Sequence, residues 1–569
     1  MTLASPHIAT KESRTFDAIV VGSGISGGWA AKELCEKGLK TLVLERGRNV
    51  EHIKDYETAL KNPWDFQHRL LNTLKDKEEC PIQSQEFDEG NKHFFVNDKE
   101  HPYIQEKPFN WIRGYHVGGR SLTWGRQCYR LSDLDFEANA KESIAVDWPI
   151  RYKDIASWYD YVEAYIGLSG RNEGLAHLPD GVFQPPIEMN CIEDHFAQGI
   201  KQHYTDRLVT PSRIANLTRG LNGRGPCQYR NLCTRGCPFS AYFSSNGVTL
   251  PAAMATGNMT LLPHSIVIEV LYDKDKKRAS GVRVMNAETK ETTDYYSKVI
   301  FLNASTIATA SILLQSKSDA FPNGLGNSSE QVGHNLMDHF LLAGASGTYD
   351  GLQDKFYYGR TPGSIHIPRF RNINEQTKRQ DFIRGYGFQG KGERFNWDDM
   401  AVRTEGFGAS FKETLVKPGP WEIWIGAWGE TLPNYANKVT LDESAKDQWG
   451  LPLAKIYFEY GENEKAMRKD IVESAQEMLG KTGFKNINTF DYDRPAGSAV
   501  HEMGTVRMGR DPKTSVLNGF NQMHEVNNVF ITDGSCMTSS ATQNPSLTYM
   551  ALTARACDFA VQELKKGNL

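Results

Sequence analysis

No stretch of this 569-residue chain approaches the roughly 18 consecutive apolar residues that crossing a bilayer requires, so a membrane-spanning helix is not expected. The first 14 residues, MTLASPHIATKESR, lack the apolar centre of a secretory signal, which predicts a chain that on its own is soluble and cytoplasmic. Excess charge of either sign is also missing. The formal net charge is −4 with 24 % charged residues, so no global field would draw in nucleic acid or an acidic membrane surface, and a small-molecule substrate is the default. No internal repeat or low-complexity tract is evident, and the length is too great for one small core, so at least two domains are expected. Cysteine is sparse. Of nine, Cys35, Cys80, Cys128, Cys191, Cys536 and Cys557 are scattered and expected as buried small hydrophobes, whereas Cys227, Cys233 and Cys237 form a cluster that asks for an explanation.

What is present begins with FDAIVVGSG at residues 16–24, a short apolar, β-branched run ending in glycines. ISGGWAAKELCEKG follows with helix-forming composition, and KTLVLERG resumes as a strand, so the segment is predicted as a βαβ unit. Gly22, Gly24 and Gly27 form G-x-G-x-x-G at the strand-to-helix junction, where a tight turn and close pyrophosphate approach both forbid a side chain. Glu45 ends the next strand 21 residues beyond Gly24, placed to accept hydrogen bonds from the ribose of an adenine dinucleotide. The helix N-terminus supplies the positive dipole end for the pyrophosphate, and Ser26 and Arg46 are expected beside these groups. The motif by itself does not distinguish FAD from NAD.

Residues 51–110 turn polar and irregular and are expected to form a lid or surface excursion. Between 261 and 302, LLPHSIVIEVLYD, ASGVRVMN and SKVIFLNAS are predicted as successive strands returning to the nucleotide-binding sheet. In WEIWIGAW, residues 421–428, strand alternation puts Trp424 and Trp428 on one face with Glu422, and Trp421, Ile423 and Ile425 on the other. These tryptophans are either ordinary sheet packing or a wall on which a sugar stacks.

Two carboxy-terminal segments read as one site: SAVHEMGTVRMG at 498–509 and NVFITDGSCMTSSATQNPSLTYMALTARACDFAV at 528–561. Asp533 and Gly534 follow a short strand, as expected for a loop touching a ribityl chain. Asn544-Pro545 opens an alanine- and leucine-rich helix whose positive end would favour a reduced, anionic flavin. With these segments, VVGSGISGG, HVGGRSLTWG (116–125), VGHNLMDH (332–339) and NKVTLDESAKDQWGLP (437–452), the chain resembles the glucose-methanol-choline (GMC) oxidoreductases over most of its length. Within that family it looks like the large subunits of bacterial FAD-dependent glucoside 3-dehydrogenases and the pyranose oxidase-like enzymes.

The resemblance implies an α/β fold: a Rossmann-like FAD-binding domain with a second, substrate domain built on an antiparallel β-sheet. It assigns 15–50, 111–350 and 491–569 to a discontinuous FAD domain and 351–490 to the substrate domain. It assigns His501 as the base and Asn544, 43 residues later, as its hydrogen-bonding companion. The chemistry suits them, because removing hydride from a carbinol requires a histidine that takes the hydroxyl proton. His524, His334 and His339 are expected to be structural or FAD-adjacent. FAD contacts are implied at Gly118, Gly119, Ser121, Thr123, Trp124, Gly125, Val267, Asp533, Gly534, Asn544, Pro545 and Ser546, beside the amino-terminal set. Thr123 stands where the pyranose oxidases attach FAD through a histidine, so noncovalent FAD is expected.

The cysteine cluster lies in GPCQYRNLCTRGCPFSAYFSS, with five and three intervening residues and a proline after the last thiol. Three thiolates on one loop suit an iron-sulfur site, a zinc site would want a fourth ligand, and a disulfide with one free thiol is the plain alternative. The resemblance implies a 3Fe-4S cluster, and with it a dehydrogenase passing electrons to an external cytochrome-type acceptor. It also implies a sugar or glycoside substrate, and a small partner subunit with which the chain is co-exported to the periplasm. Pyranose or C-glycoside 3-oxidase, gluconate 2-dehydrogenase and glucose 1-dehydrogenase are the alternatives in the same family. A non-catalytic flavin electron-transfer subunit is the alternative of another class.

Overall fold

A computed structural model describes residues 14–355, 363–394 and 404–569. Residues 356–362 and 395–403 of the expected substrate domain, and all but the last of the 14 amino-terminal residues, lie outside the described residues.

The first sheet begins as the predicted βαβ unit. Strands Thr15–Val21 and Thr41–Leu44 run parallel, with the helix Ile25–Glu36 between them in sequence. The sheet extends on one side to Met259–Leu262 and on the other to Thr292–Leu302, both parallel. The first part of Thr292–Leu302 pairs antiparallel with Arg278–Asn286, which pairs with Ser265–Asp273, so the three strands expected between 261 and 302 form a meander on the sheet's edge. The last part of Thr292–Leu302 carries the short parallel strand Val529–Ile531 instead, which delivers Asp533 to the same end of the sheet as Gly22. Thr15–Val21 and Thr41–Leu44 are almost entirely buried, the pattern of a parallel strand covered on both faces. Helices Ile25–Glu36 and Ser546–Lys566 supply Ala30, Leu34, Ala556 and Ala560 to one of those faces.

Among the described residues the second sheet has six strands, all antiparallel. Their order is Lys485–Asp491, Phe340–Tyr349, Trp421–Gly429, Tyr386–Arg394, Ile365–Ile367 and Thr210–Pro211. Phe340–Tyr349 therefore belongs to this sheet, paired along most of its length with Trp421–Gly429, whereas the sequence reading carried the first domain to 350. One face is apolar: Trp421, Ile423, Ile425, Ala427, Phe388 and Ala345 pack against Met467, Ile471 and Met478 of the helix Glu462–Lys481. Strand alternation turns Gln389, Trp424 and Trp428 to the opposite face.

Residues 51–110 wind through turns and short helices, including the α-helix Leu74–Glu79 and the 3-10 helix Lys92–Phe94, before Ile104–Gln105 pairs with Pro452–Tyr457. All nine cysteines are free; Cys35, Cys128, Cys536 and Cys557 are buried, as expected, while Cys80 and Cys191 are only partly so. No helix among the described residues is long and apolar enough to cross a membrane.

Candidate active site

A cavity of about 690 Å³ lies between the end of the first sheet and the second sheet's Gln389–Trp428 face, within the size range of small-molecule and cofactor sites. At one end sits the glycine turn. Gly22 holds φ +94°, and a Cβ there would stand 2.3 Å from the Asn303 carbonyl oxygen. A Cβ on Gly27 would stand 1.9 Å from the Gly22 carbonyl oxygen, so only glycine lets the helix follow the turn this closely. Gly22, Gly24 and Ser26 line the cavity; Gly27 does not, and its part is packing. The buried Glu45 carboxylate accepts from the Ser23 N–H at 3.2 Å, the Ser23 hydroxyl at 2.5 Å and the Gly47 N–H at 2.9 Å, which ties the second strand's end to the turn. Burial pushes its pKa upward against those bonds.

Gly118 is likewise structural. Its N–H donates to the Ser23 hydroxyl at 3.0 Å, and a Cβ would meet the Asn246 side chain. Gly119, Ser121, Thr123, Trp124, Gly125 and Val267 line the cavity wall. Asp533 and Gly534 line it too, with the Asp533 carboxylate held by the Ser305 N–H at 3.0 Å and the Thr309 hydroxyl at 2.6 Å. Arg46 lies over Tyr115 and Trp449 and pairs with Asp447 at 3.4 Å. Around this cavity seven buried polar atoms have no hydrogen-bond partner among the described residues: Arg46 Nε, His101 Nδ1, Arg113 Nε and Nη2, Arg126 Nε and Nη1, and Asn303 Nδ2, although Arg113 Nη2 lies 3.5 Å from the Asp98 carboxylate. Buried polar groups are rarely left unpaired without a ligand or water to meet them, so the lining fits a large polar molecule such as a dinucleotide.

On the same cavity His501 and Asn544 face each other, His501 Nε2 to Asn544 Nδ2 at 3.4 Å. Asn544, Pro545 and Ser546 line the cavity at the N-terminus of the long carboxy-terminal helix. The loop carrying His501 is pinned from below. The buried Asp338 carboxylate accepts the N–H groups of Gly497 at 2.7 Å, Ala499 at 3.3 Å and His501 at 3.0 Å. Between them Val500 holds φ +56°, a conformation that costs a β-branched residue about 1–3 kcal/mol and persists only where its surroundings impose it. Burial and the neighbouring Glu502 push Asp338 up to about 7. Glu502 in turn forms a pair with Arg120, 2.7 Å apart, on the cavity wall.

His339, expected as structural or FAD-adjacent, contacts His501 directly. Its Nε2 is 2.8 Å from the Ala541 carbonyl oxygen and 3.3 Å from that of Ser540. A carbonyl only accepts, so Nε2 carries the proton and the Nδ1 of the neutral ring is an acceptor. That Nδ1 lies 2.9 Å from His501 Nδ1, which must therefore donate. His501 Nε2 is left as a bare lone pair on the cavity. Both rings are biased toward the neutral form: burial lowers the pKa of His339, and burial, then His339 and Arg120, lower that of His501 well below its ordinary value. His339 stands 162 positions before His501, and only its place in VGHNLMDH could have marked it. His334 stacks on Tyr435 and His524 bonds Ser515, and neither lines the cavity.

The two tryptophans on the cavity side of the second sheet divide. Trp424 stacks on Phe490 with rings 5.8 Å apart, as ordinary packing, whereas Trp428 lines the cavity.

Cys227, Cys233 and Cys237 line one small, separate cavity with Asn216, and none is bridged. Among the described residues, however, no group of three His, Cys, Asp or Glu side chains is placed to hold a metal ion. The Tyr229 N–H donates to Cys227 Sγ at 3.4 Å, and burial pushes the thiols of Cys227 and Cys233 up.

Comparison with known proteins agrees with this geometry. Two family models, both described as GMC oxidoreductase, match residues 16–341 and 433–553. The chain is 27 % identical to the 2-methyl-1,2-propanediol dehydrogenase of Mycolicibacterium austroafricanum, over 95 % of this chain and 94 % of that one. It is 24 % identical to the fructose dehydrogenase large subunit of Gluconobacter japonicus, over 98 % and 100 %. The structure of Aspergillus oryzae formate oxidase superposes with a TM-score of 0.62 at 13 % identity, covering 99 % of this chain and all of that one, which shows a shared fold.

Proposed function

The chain belongs to the GMC oxidoreductase family, and on that footing we propose that it is an FAD-dependent dehydrogenase oxidising a secondary hydroxyl of a glucoside or related pyranose, at carbon 3, to a keto-sugar. The observation that carries the reading is the unprotonated Nε2 of His501 beside Asn544, on the same cavity that the glycine turn lines.

Bound FAD supplies the hydride acceptor. Gly22, Gly24 and Ser26 with the helix Ile25–Glu36 would hold its pyrophosphate, Glu45 its ribose, Asp533 and Gly534 its ribityl chain, and the helix Ser546–Lys566 its pyrimidine side. Thr123 offers no imidazole for attachment, so the cofactor is held noncovalently. His501 Nε2 accepts the hydroxyl proton as the C–H bond breaks, and the resulting imidazolium keeps its Nδ1–H on His339. Asn544 Nδ2 orients the substrate oxygen toward Nε2. Trp428 offers an aromatic wall for a sugar ring.

A small partner subunit, a cytochrome-type acceptor and a periplasmic address reached by co-export belong to the same reading. The relative named as a fructose dehydrogenase large subunit supports it. Three free thiols around one cavity support a 3Fe-4S centre at Cys227, Cys233 and Cys237.

The test is anaerobic dye reduction with methyl glucoside, whose anomeric carbon is blocked, against free glucose and gluconate, with NMR of the product. A 3-keto product from the blocked glucoside is expected. Reaction with gluconate or free glucose alone overturns the substrate and leaves the base assignment standing.

A further inference from the structure

We infer that Gln389 is a positioning residue that sets the polarity of Asn544 and thereby keeps the base nitrogen of His501 bare; the inference rests on His501 being the base. The Gln389 Nε2 is 2.6 Å from Asn544 Oδ1, and both side chains are buried at the cavity wall. An amide is symmetric in shape and antisymmetric in bonding, so Asn544 can offer His501 either its NH₂ or its oxygen, and something must choose.

The choice is made from both ends. At one end the Ala541 carbonyl fixes His339, His339 fixes the proton on His501 Nδ1, and a bare Nε2 can be met only by the Asn544 NH₂. Asn544 Oδ1 must then point at Gln389, which answers with a donor. Reversed, Asn544 Oδ1 would face Nε2 and call the proton there, leaving the Nδ1 lone pairs of His501 and His339 opposed at 2.9 Å. Gln389 itself cannot drift. It lies in the interior of the second sheet, in register with His366 on one side and Gly426 on the other, and only 7 % of it is exposed. A hydrogen-bonded relay therefore runs from a backbone carbonyl through two imidazoles and two amides, with every donor pointing the same way.

The test uses the flavin-loaded protein with ¹⁵N-labelled histidine. His501 signals are assigned by their loss in His501→Ala, and flavin reduction is followed by anaerobic stopped flow. In the parent protein His501 should show a single tautomer, protonated at Nδ1. Gln389→Met, which removes the donor, should give a mixture of tautomers and lower kcat roughly tenfold with little change in KM. Gln389→Glu, close in shape, carries the test if the methionine variant does not fold. Once ionised, the introduced carboxylate accepts from the Asn544 NH₂, turns Oδ1 to His501 and moves the proton to Nε2. The rate of this variant should therefore fall as pH rises through the titration of the introduced carboxyl group, whereas the parent rate holds or rises.

A merely structural Gln389 would lower the rate by one factor at all pH and leave the tautomer unchanged, and that result overturns the inference. Unchanged turnover in His501→Ala would instead overturn the base reading on which it stands.

Discussion

Replacing His339 with leucine removes the acceptor for the His501 Nδ1–H while keeping the site apolar and filled. In the native protein that bond spans 2.9 Å in a buried setting and decides which His501 nitrogen carries the proton. A net loss of about 1–1.5 kcal/mol is ordinary for one such bond, and a buried donor left without a partner raises the cost to about 3 kcal/mol. At about 1.4 kcal/mol for each factor of ten, kcat should fall by roughly ten- to a hundredfold, because His501 is then free to place its proton on the nitrogen that must receive the substrate's. KM should change little, since the substrate-facing groups stay in place. His339→Gln is the informative companion: its amide nitrogen can donate to the Ala541 carbonyl and its oxygen can accept from His501, reproducing the polarity of the native ring. It should keep kcat within about threefold of the parent. The assay is anaerobic stopped-flow bleaching of the flavin at saturating substrate. Parental rates in the leucine variant, or a glutamine variant no better than leucine, would refute the reasoning.

Gly27→Ala puts a methyl group against the Gly22 carbonyl oxygen, 1.9 Å away, where neither backbone segment can yield; the variant should purify with little or no flavin, checked by the ratio of flavin to protein absorbance. Acid should destabilise the fold from pH 6.5 downward. Burial holds His116 at about 4 and His366 at about 3, so their contribution is complete above the unfolded value of 6.5 and drains away as pH falls toward those folded values, at up to about 1.4 kcal/mol per pH unit for each ring. Asp338, raised toward about 7, and Asp135 and Glu86, raised to about 6, work in the opposite sense, losing stability as pH rises through their range, but His52 at about 4 and His101 at about 3 join His116 and His366, so the histidines outweigh the carboxyls. Urea midpoints that stay constant from neutral pH down to about 5 would contradict this. Iron analysis and low-temperature EPR of anaerobically purified protein should show iron at the level of a three-iron cluster that is lost in Cys233→Ser; iron-free parent protein with full dye-reducing activity would remove the cluster from the proposal.

The sequence by itself determined the elements whose signals are local. G-x-G-x-x-G followed by an acid at the end of the next strand is a contact pattern within one βαβ unit, and the turn, the buried strands and the Ser23–Glu45 bonds follow from it. The alternation in WEIWIGAW likewise put Trp421 and Trp428 on opposite faces, because the period of a strand does not depend on its neighbours, while which face is core was left to the fold. The pairing of His501 with Asn544 was read through a family resemblance.

Tertiary structure alone decided the rest. His339 reaches His501 because Phe340–Tyr349 was taken into the second sheet, and Gln389 reaches Asn544 because strand register turned one polar residue of Tyr386–Arg394 toward the cavity. Neither contact has a sequence period, for they join segments 162 and 155 residues apart. The cysteine triplet makes the same point: spacing placed three thiols on one loop, but only the backbone path between them brings all three to one small cavity. Motifs fix which groups are available, and packing fixes which atom of each group faces its partner, since proton polarity passes along hydrogen bonds that only the folded chain brings into line.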